Sequence, residues 1–523
     1  MGADPRVRLR RKCGRVVYSM DRNLEALRRR AADPQWHFRL ALAAVLLFTF
    51  VHMLALPLIV SPDGIWYVRL ANVLAGPAII SHWDFYRTPL FPLALNVAFW
   101  IGGEQPHMAL LVSGILGLAG VLLMGLVVRR VAGATSGAIV LVVLAFYPVL
   151  VGYQHLLLTE TGNFFWIALM LWSLVRVAKD FHGSAIGMGC WIALVIAAAY
   201  YWRPTLLNLS PIAAVALVLL RLLPPNDRRP YSQFMDRLRR EGRRVAAPAL
   251  IIALGPWVLA FPWTQLTDRY KPNAYSRFFV EGIFRQILVP PDDPMLASVR
   301  TEYEADIARD LVNGRLPPGG VGGGGRYELR QKFYKIFEHL PFAALIRRYP
   351  ARYISGAARA ILFYLAVPHH GGDYENAAFS HYVFWLWPST DSLEHSLGWE
   401  VKEPELAPLP FGGGALIGRW LDKINPAYIW LVFASSILSL LWFGVSLKQG
   451  DAVGLTFTGL PLAFLLMHAL TLETIDRYGF PVYPMLLANA VIVFAKLLLR
   501  KKSVGPSGVD EIAATRAVSA ESR

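Results

Sequence analysis

Long apolar segments recur along the chain, and short polar segments separate them. The first, RLALAAVLLFTFVHMLALPLIV at residues 39–60, supplies the roughly 20 apolar residues that a helix needs to cross a bilayer. A long arginine-rich arm precedes it and no small-x-small cleavage site follows, so we expect a retained signal anchor rather than a cleaved signal peptide. Hydropathy predicts about ten spans in all, the others at residues 107–128, 135–152, 156–178, 186–202, 205–222, 246–265, 427–447, 452–472 and 479–498.

Clusters of lysine and arginine fall on alternate loops between these segments. Because short cytoplasmic loops are enriched in Lys and Arg, this alternation predicts that both termini lie in the cytoplasm. The clusters are the arm 6–30, the pair 129–130, the stretch 228–244, Lys448 and the tail 500–502.

The predicted topology divides the chain into five parts. Two of them, the N-terminal arm and the C-terminal tail, are cytoplasmic, and we expect the tail to be disordered. In order, the parts are a basic arm (1–38), an N-terminal membrane module (39–265) whose first outer loop is 61–106, an extracytoplasmic insert (266–426), C-terminal membrane helices (427–498) and the tail (499–523).

Two segments of the insert have their own signals. The glycine run at 319–325 lacks the GK[ST] ending of a phosphate-binding loop, so we interpret it as a flexible linker. Residues 349–367 are apolar but short for a span, which favours an interfacial helix. If they cross the membrane instead, a further crossing near 384–387 is needed to keep the predicted orientation of the C-terminal helices.

Composition excludes a soluble enzyme. Hydrophobic residues make up 55% of the chain and charged residues 17%, with a mean hydropathy of +0.41, whereas a soluble domain carries about 25% charged residues. The net charge of +16 invites comparison with nucleic-acid binders, but those carry their charge on a folded basic face. Here the charge lies in the arm, a loop and the tail, where it orients the protein against an anionic leaflet.

Cysteine and histidine patterns predict no metal centre. Cys13 and Cys190 lie far apart in different segments, which excludes a disulfide framework or a CxxC site. The 12 histidines form no HExxH pattern, and we interpret His369-His370 as a loop pair. No Ser-His-Asp order or GxSxG elbow indicates a hydrolase.

Ionisable residues gather at one side of the predicted membrane module. Such residues are costly beside a bilayer, so each is a candidate for function. Carboxylates and guanidinium groups that converge on the outer face predict a site for a charged, phosphate-bearing ligand. The candidates are Asp63, Asp84, Arg87, His155, Glu160, Arg203, Asp268, Arg269, Lys271, Glu473, Asp476 and Arg477.

Each main candidate also has a purely structural interpretation. Asp63 is either a helix N-cap or a base that takes a proton from a hydroxyl, and Asp84 is either a turn former before Pro89 or a site carboxylate. Arg87 and Arg203, which each precede a proline within two residues, either reach lipid headgroups or grip a phosphate. Glu160 is either a solvated helix start or a carboxylate within a pocket.

Motifs in four regions, the first of which holds two of them, resemble the polytopic GT-C glycosyltransferases, the group that includes protein O-mannosyltransferases and the lipid A aminoarabinose transferase. The residues DGIWY from Asp63 resemble the family's Asp-x-x-x-Tyr, and RTPLFPL from Arg87 resembles its Arg-x-Pro-x-x-Pro. LTET around Glu160 is similar to the family's Thr-Glu, and WRPT around Arg203 to its Arg-Pro-Thr turn. DRY with Pro481 and Pro484 resembles its C-terminal Arg-Tyr-x-x-Pro-x-x-Pro.

The resemblance implies an all-α bundle of about 10 to 12 transmembrane helices with periplasmic juxtamembrane helices and a large insert. It also implies an inner-membrane enzyme that transfers a sugar from a polyprenyl-phosphate donor to an envelope glycan, lipid or protein. The residues themselves indicate no nucleic-acid partner and no required cofactor. A divalent metal on Asp63, Asp84 or Glu160 stays open, although no ligand spacing requires one. Asp63 would be the base, and Asp84 or Glu160 would bind sugar or acceptor. Arg87, Arg203, Arg477, Tyr67 and Tyr478 would hold the donor phosphate, with His155, Arg269 and Lys271 lining the pocket.

The sequence also departs from the family, and rival functions stay open. Gly64 stands where these relatives often have Glu, the Arg-Asn that often follows Pro-Trp is missing after Trp257, and residues 272–425 match nothing in the family. A flippase for a lipid-linked sugar would share the basic outer residues but should have ionisable groups near the bilayer midplane. A polymerase or ligase that uses a diphosphate carrier is the other rival. A purely structural subunit has no use for paired Asp and Arg at such turns.

Overall fold

The computed structural model describes residues 33–56, 58, 62–74, 87–179, 185–223, 230–270, 288–290, 292–298, 300–301, 304, 336, 342–366, 413–470 and 480–503. Every regular element in these ranges is helical. Eight helices are long and apolar enough to cross a membrane, and a bent helix pair would make a ninth. The prediction of an all-α, multi-pass membrane protein is confirmed.

Fifteen α-helices form the described part of the chain. In chain order they are α1 (Pro34–Ala55), α2 (Pro62–Leu74), α3 (Leu90–Gly102), α4 (Pro106–Ala132), α5 (Ala134–Ala145), α6 (Pro148–His155), α7 (Glu160–Lys179), α8 (Ala185–Trp202), α9 (Leu209–Leu222), α10 (Pro230–Tyr270), α11 (Phe342–Arg348), α12 (Pro350–Ala366), α13 (Gly413–Gln449), α14 (Ala452–Leu470) and α15 (Tyr483–Ser503). Short 3₁₀ helices lie at Pro204–Asn208, Pro294–Leu296 and Phe480–Val482.

The long helices pack around one large apolar core. Its buried side chains come from α1, α4 to α10 and α12 to α15, and a second cluster joins α2 and α3 to the ends of α4 and α8. Large apolar side chains such as Trp100, Val258 and Trp430 are exposed on the outside. In water such a surface would aggregate, whereas in lipid it faces a matching solvent.

The bundle has two chemically different ends. At the site end, α1, α6 and α8 finish and α7 begins, and the contacts between Glu160 and Arg203 lie there. At the basic end, Arg129 donates to Gln35 over 2.7 Å and Arg221 pairs with Glu241 at 3.0 Å. Asp451 pairs with Lys496 at the same end. The helix directions thus bring the basic loops together, and the cytoplasmic location of this end stays a prediction.

Prolines explain where the helices differ from the predicted spans. The first helix covers 34–55 rather than 39–60, because Asp33 caps it by accepting from the Gln35 N–H and Pro57 follows its end. The predicted span 135–152 is two helices, α5 and α6, bent by 57° before Pro148. The predicted span 246–265 lies within the 41-residue α10, which continues through the basic stretch and contains three prolines.

The first outer loop and the insert both contain helices. Helices α2 and α3 lie within residues 61–106 and pack on each other, where Asn96 Nδ2 donates to the Ala71 carbonyl over 2.9 Å. In the insert, α12 covers most of the predicted interfacial segment and packs on α13 and α14. Asp293, which lies before α11 in the chain, accepts a hydrogen bond from the Tyr349 hydroxyl and pairs with Arg348 at 3.1 Å. These contacts hold its segment at the junction of α11 and α12. The glycine run and residues 384–387 lie outside the described residues.

Helices α4 and α5 cross so closely that one added methyl group should lower the stability of the protein. A Cβ at Gly137 would lie 2.8 Å from the Gly125 carbonyl oxygen, so the two backbones must separate. We expect Gly137→Ala to lower the free energy of unfolding by about 1–3 kcal/mol, measured as a lower thermal midpoint in detergent. The control is Gly444→Ala in α13, where nothing lies within 4 Å of the added atom. Equal midpoints for the two variants would contradict close packing at this crossing.

Candidate active site

A buried ion pair lies at the centre of the site end. Arg203 Nη1 is 2.5 Å from Glu160 Oε1. The side chains of Glu160 and Arg203 are 1% and 13% exposed, so the carboxylate is out of solvent and the guanidinium nearly so. An ionised carboxylate in such surroundings requires a charged partner and hydrogen bonds. The structure therefore favours the pocket interpretation of Glu160 over a solvated helix start, and an inward-facing Arg203 over one that reaches lipid headgroups.

Local backbone rules bring these two residues to the same place. The Thr159 carbonyl accepts from the Asn163 N–H over 2.9 Å, so α7 starts at Glu160 and its carboxylate lies at the positive end of the helix dipole. Helix α8 ends at Trp202 because Pro204 follows and keeps Arg203 extended, with a φ of −153°. The neighbouring ends of α7 and α8 then place the carboxylate opposite the guanidinium.

Three polar neighbours surround the ion pair. Arg203 Nη1 is also 3.2 Å from Thr159 Oγ1. The Asn163 amide, in the orientation that satisfies both of its groups, accepts from Arg203 Nη1 at 3.1 Å and donates to the Thr159 carbonyl at 3.2 Å. The Trp202 indole N–H donates to that carbonyl over 2.8 Å. These bonds hold the pair in a fixed geometry at the buried start of α7.

A row of aromatic rings connects this pair to the first outer loop. The Trp202 ring lies 4.9 Å from Phe91, and Phe91 lies 4.9 Å from Tyr67, edge to face. The Arg87 guanidinium sits over the Tyr67 ring at 5.5 Å and near Trp66 at 5.8 Å. Arginine and tyrosine from the loop are thereby held beside the buried ion pair.

Two histidines form a second buried contact at the site end. His52 Nδ1 and His155 Nε2 are 2.9 Å apart, so one imidazole donates to the other. They come from the last turns of α1 and α6 and are 1% and 0% exposed. The pair joins two helix ends next to the start of α7. A third histidine, His468 in the last turn of α14, interacts electrostatically with Arg203.

The structure brings five predicted residues to the site end, of which Glu160 and Arg203 touch each other and Arg87 and Tyr67 touch each other. His155 is buried beside them, while Arg269 lies exposed in the last turn of α10. For Asp63 only the backbone is described: α2 begins at Pro62, so Asp63 lies in the first turn rather than at the N-cap. The predictions for Asp84, Lys271, Arg477 and Tyr478 fall outside the described residues.

Sequence reasoning missed several partners of these residues. His52, Asn163 and His468 lie inside apolar helical segments, where a single polar residue gives no spacing signal. Trp202 was part of the WRPT motif, but nothing in the motif indicates that its indole binds the start of α7. Among the described residues, no three His, Cys, Asp or Glu side chains are placed to hold a metal ion.

Comparisons with known proteins give a distant likeness. No protein-family profile and no curated protein matches the chain. Similar solved structures include ArnT from Cupriavidus metallidurans bound to undecaprenyl phosphate, at 15% identity and a TM-score of 0.36, over 86% of this chain and 77% of that one. The apo structure of the same protein gives 14% identity and a TM-score of 0.33, over 86% and 76%. At this level of similarity, function has to be argued from the chain's own residues.

Removal of one partner of the ion pair should destabilise the protein more than removal of both. In Arg203→Met the Glu160 carboxylate is left buried without its cation, and we expect a loss of about 3–5 kcal/mol. The double variant Glu160→Leu/Arg203→Met leaves no lone charge and should recover much of this loss. Thermal midpoints of the purified proteins test the expectation. A double variant no more stable than Arg203→Met would show that the pair is not electrostatically coupled.

Proposed function

We propose that this protein is a membrane glycosyltransferase, a hexosyl- or pentosyltransferase that takes its sugar from a polyprenyl-phosphate-linked donor. The acceptor is a hydroxyl of an envelope glycan, lipid or protein on the extracytoplasmic face of the inner membrane. Asp63 acts as general base, and a single displacement inverts the anomeric carbon. Neither a cofactor nor a metal takes part in this proposal, and membrane lipids surround the donor's chain.

The observation that carries the proposal is the buried Glu160–Arg203 pair and its link to Tyr67 and Arg87. Charges in a membrane bundle are costly and are retained where they bind something charged. Here two arginines and a carboxylate converge at one end of the bundle, beside the helix that carries Asp63. Asp63 and Tyr67 are four residues apart in α2 and share one face of that helix.

The proposed reaction needs a base and a cationic site for phosphate. The bond between the anomeric carbon and the phosphate oxygen breaks, and a bond from the acceptor oxygen to the same carbon forms on the opposite face. The acceptor proton passes to Asp63, and the polyprenyl phosphate leaves with the bonding electrons. Guanidinium groups stabilise the charge that grows on the departing phosphate, and positioning of the two substrates supplies much of the remaining acceleration.

The candidate residues divide into three roles. Arg87, Arg203 and Arg477 contact the donor phosphate, and Tyr67 and Tyr478 orient it. Glu160 and Asp84 hold hydroxyl groups of sugar or acceptor, because a carboxylate accepts paired hydrogen bonds from neighbouring hydroxyls. The remaining three, His155, Arg269 and Lys271, are proposed to line the pocket.

The location of the ion pairs supports an enzyme over a flippase. Glu160 and Arg203 lie at the site end, while Asp451 with Lys496 and Arg221 with Glu241 lie at the basic end. A transporter needs a site near the midplane that both sides can reach in turn. A polymerase or ligase that uses a diphosphate carrier shares the outer-face site and is separated from the proposal by donor choice alone.

Replacement of the proposed base should abolish transfer without affecting folding. We expect Asp63→Asn to lose about 100- to 10,000-fold in rate, because the acceptor hydroxyl no longer loses its proton in the transition state. The measurement is movement of radiolabel from a set of polyprenyl-phosphate sugars, and from their diphosphate analogues, onto membrane extract in proteoliposomes. Parental activity in this variant would remove Asp63 from the mechanism.

Asp236→Asn is the matched control for this experiment. Asp236 is an exposed carboxylate at the start of α10, on the basic end. The same change of charge there should leave transfer at the parental rate. Transfer from the diphosphate donors alone would favour the polymerase or ligase alternative instead.

A further inference from the structure

We propose that Trp202 is a positioning residue that fixes α2, the helix of Asp63, relative to the Glu160–Arg203 pair. The inference rests on the proposed function, because the expected effect of moving Trp202 is a lower rate of sugar transfer. Its structural content, the spacing between two helices, can be tested without any activity.

The polar edge of Trp202 fixes one side of the site. Its indole N–H donates to the Thr159 carbonyl over 2.8 Å, and that carbonyl also accepts the first hydrogen bond of α7 from the Asn163 N–H. The next residue is Glu160, and the Thr159 hydroxyl contacts Arg203. Because the indole binds the backbone immediately before the carboxylate, a displacement of Trp202 either moves the start of α7 or breaks this bond.

The apolar face of Trp202 fixes the other side. Its ring packs at 4.9 Å on Phe91, the second residue of α3, and Phe91 packs on Tyr67 of α2. Phe91 is fully buried and Trp202 is 4% exposed, so neither ring can swing into solvent. One rigid side chain thus contacts both the end of the bundle that holds the ion pair and the hairpin of α2 and α3.

Gly162 provides the space in which this indole lies. A Cβ at position 162 would stand 2.1 Å from Trp202 Cε2 and 2.3 Å from Cζ2 and Nε1. An indole has no flexible end that can yield, so any side chain at 162 must push the ring away from α7. The push breaks the bond to Thr159, moves Phe91, or does both.

Displacement of the ring should affect catalysis more than substrate binding. Trp202 is not proposed to touch donor or acceptor, and its role is to align groups that do. A misplacement of about 1 Å in such an alignment can cost about 100-fold in rate. A loss that appears in kcat, with KM for the donor little changed, distinguishes a positioning residue from one that binds substrate.

The experiment compares Gly162→Ala with Gly125→Ala. Both added methyl groups meet a buried side chain, Trp202 in the first case and Leu141 at 2.4 Å in the second, but Gly125 lies at the crossing of α4 and α5 away from the ion pair. Spin labels on Cys190, which is exposed on α8, and on a cysteine introduced by Arg69→Cys in α2 report the spacing of the two helices by pulsed electron resonance. Cys13→Ser removes the other thiol.

We expect Gly162→Ala to shift or broaden the distance distribution and to lower kcat at least about 30-fold, within the range for misalignment. Gly125→Ala should match the parent in both measurements. Trp202→Phe keeps a ring against Phe91 but lacks the N–H, so its distance change and kcat loss should be intermediate, and it serves as the test if Gly162→Ala does not fold.

An unchanged distance distribution in both Gly162→Ala and Trp202→Phe would overturn the inference, as would an equal change in Gly125→Ala. A rise in KM at constant kcat would also overturn it, because Trp202 would then act in binding. If the parent transfers no sugar from any donor, the proposed function fails, and the distance measurements still decide whether Trp202 sets the helix spacing.

Discussion

The charge of Glu160 is the constraint on which the site end depends. A carboxylate that is 1% exposed inside an apolar bundle persists only with a cation and hydrogen-bond donors around it. That requirement accounts directly for Arg203 and for the hydroxyl of Thr159, which lies 3.5 Å from Glu160 Oε2. The Asn163 amide accepts from Arg203 and the Trp202 indole donates to the Thr159 carbonyl, so both hold these partners in place. Burying these charges costs free energy, and it does so at the place where the proposed phosphate chemistry needs fixed charges with little water around them.

Hydropathy was sufficient to predict the helical class and the approximate position of the long apolar helices, while the helix within the predicted span 479–498 is one of the shorter apolar ones. It failed at boundaries, where prolines and caps decide: Pro148 divides one predicted span, and Asp33 starts the first helix earlier than the apolar run suggests. Helix α10 was underestimated because its first half is basic, and a hydropathy window cannot follow a helix out of its apolar part. The structure also keeps this helix continuous through three prolines.

The site was predictable only in part, for a physical reason. Glu160 and Arg203 are conspicuous because charge is rare in apolar segments, so sequence alone nominated both. Their contact depends on how two helix ends meet across 43 positions of sequence, and no local pattern encodes that distance. Gly162 is the clearest example, because its missing side chain leaves room for the Trp202 indole. A glycine in an apolar helix gives no sign in the sequence of the ring that packs against it.

The length of helix α10 determines how the two ends of the bundle are connected. At 1.5 Å per residue its 41 residues extend for about 60 Å, roughly twice the thickness of a hydrocarbon core. The arginines of its first half therefore stand in or beyond the headgroups, while near its other end Tyr201 donates to the Leu259 carbonyl beside the end of α8. Helix α10 thus runs from the basic end of the bundle to the end of α8, where it contacts Tyr201, the neighbour of Trp202. A change in the tilt of this helix would therefore be felt at the end of α8, which carries Trp202.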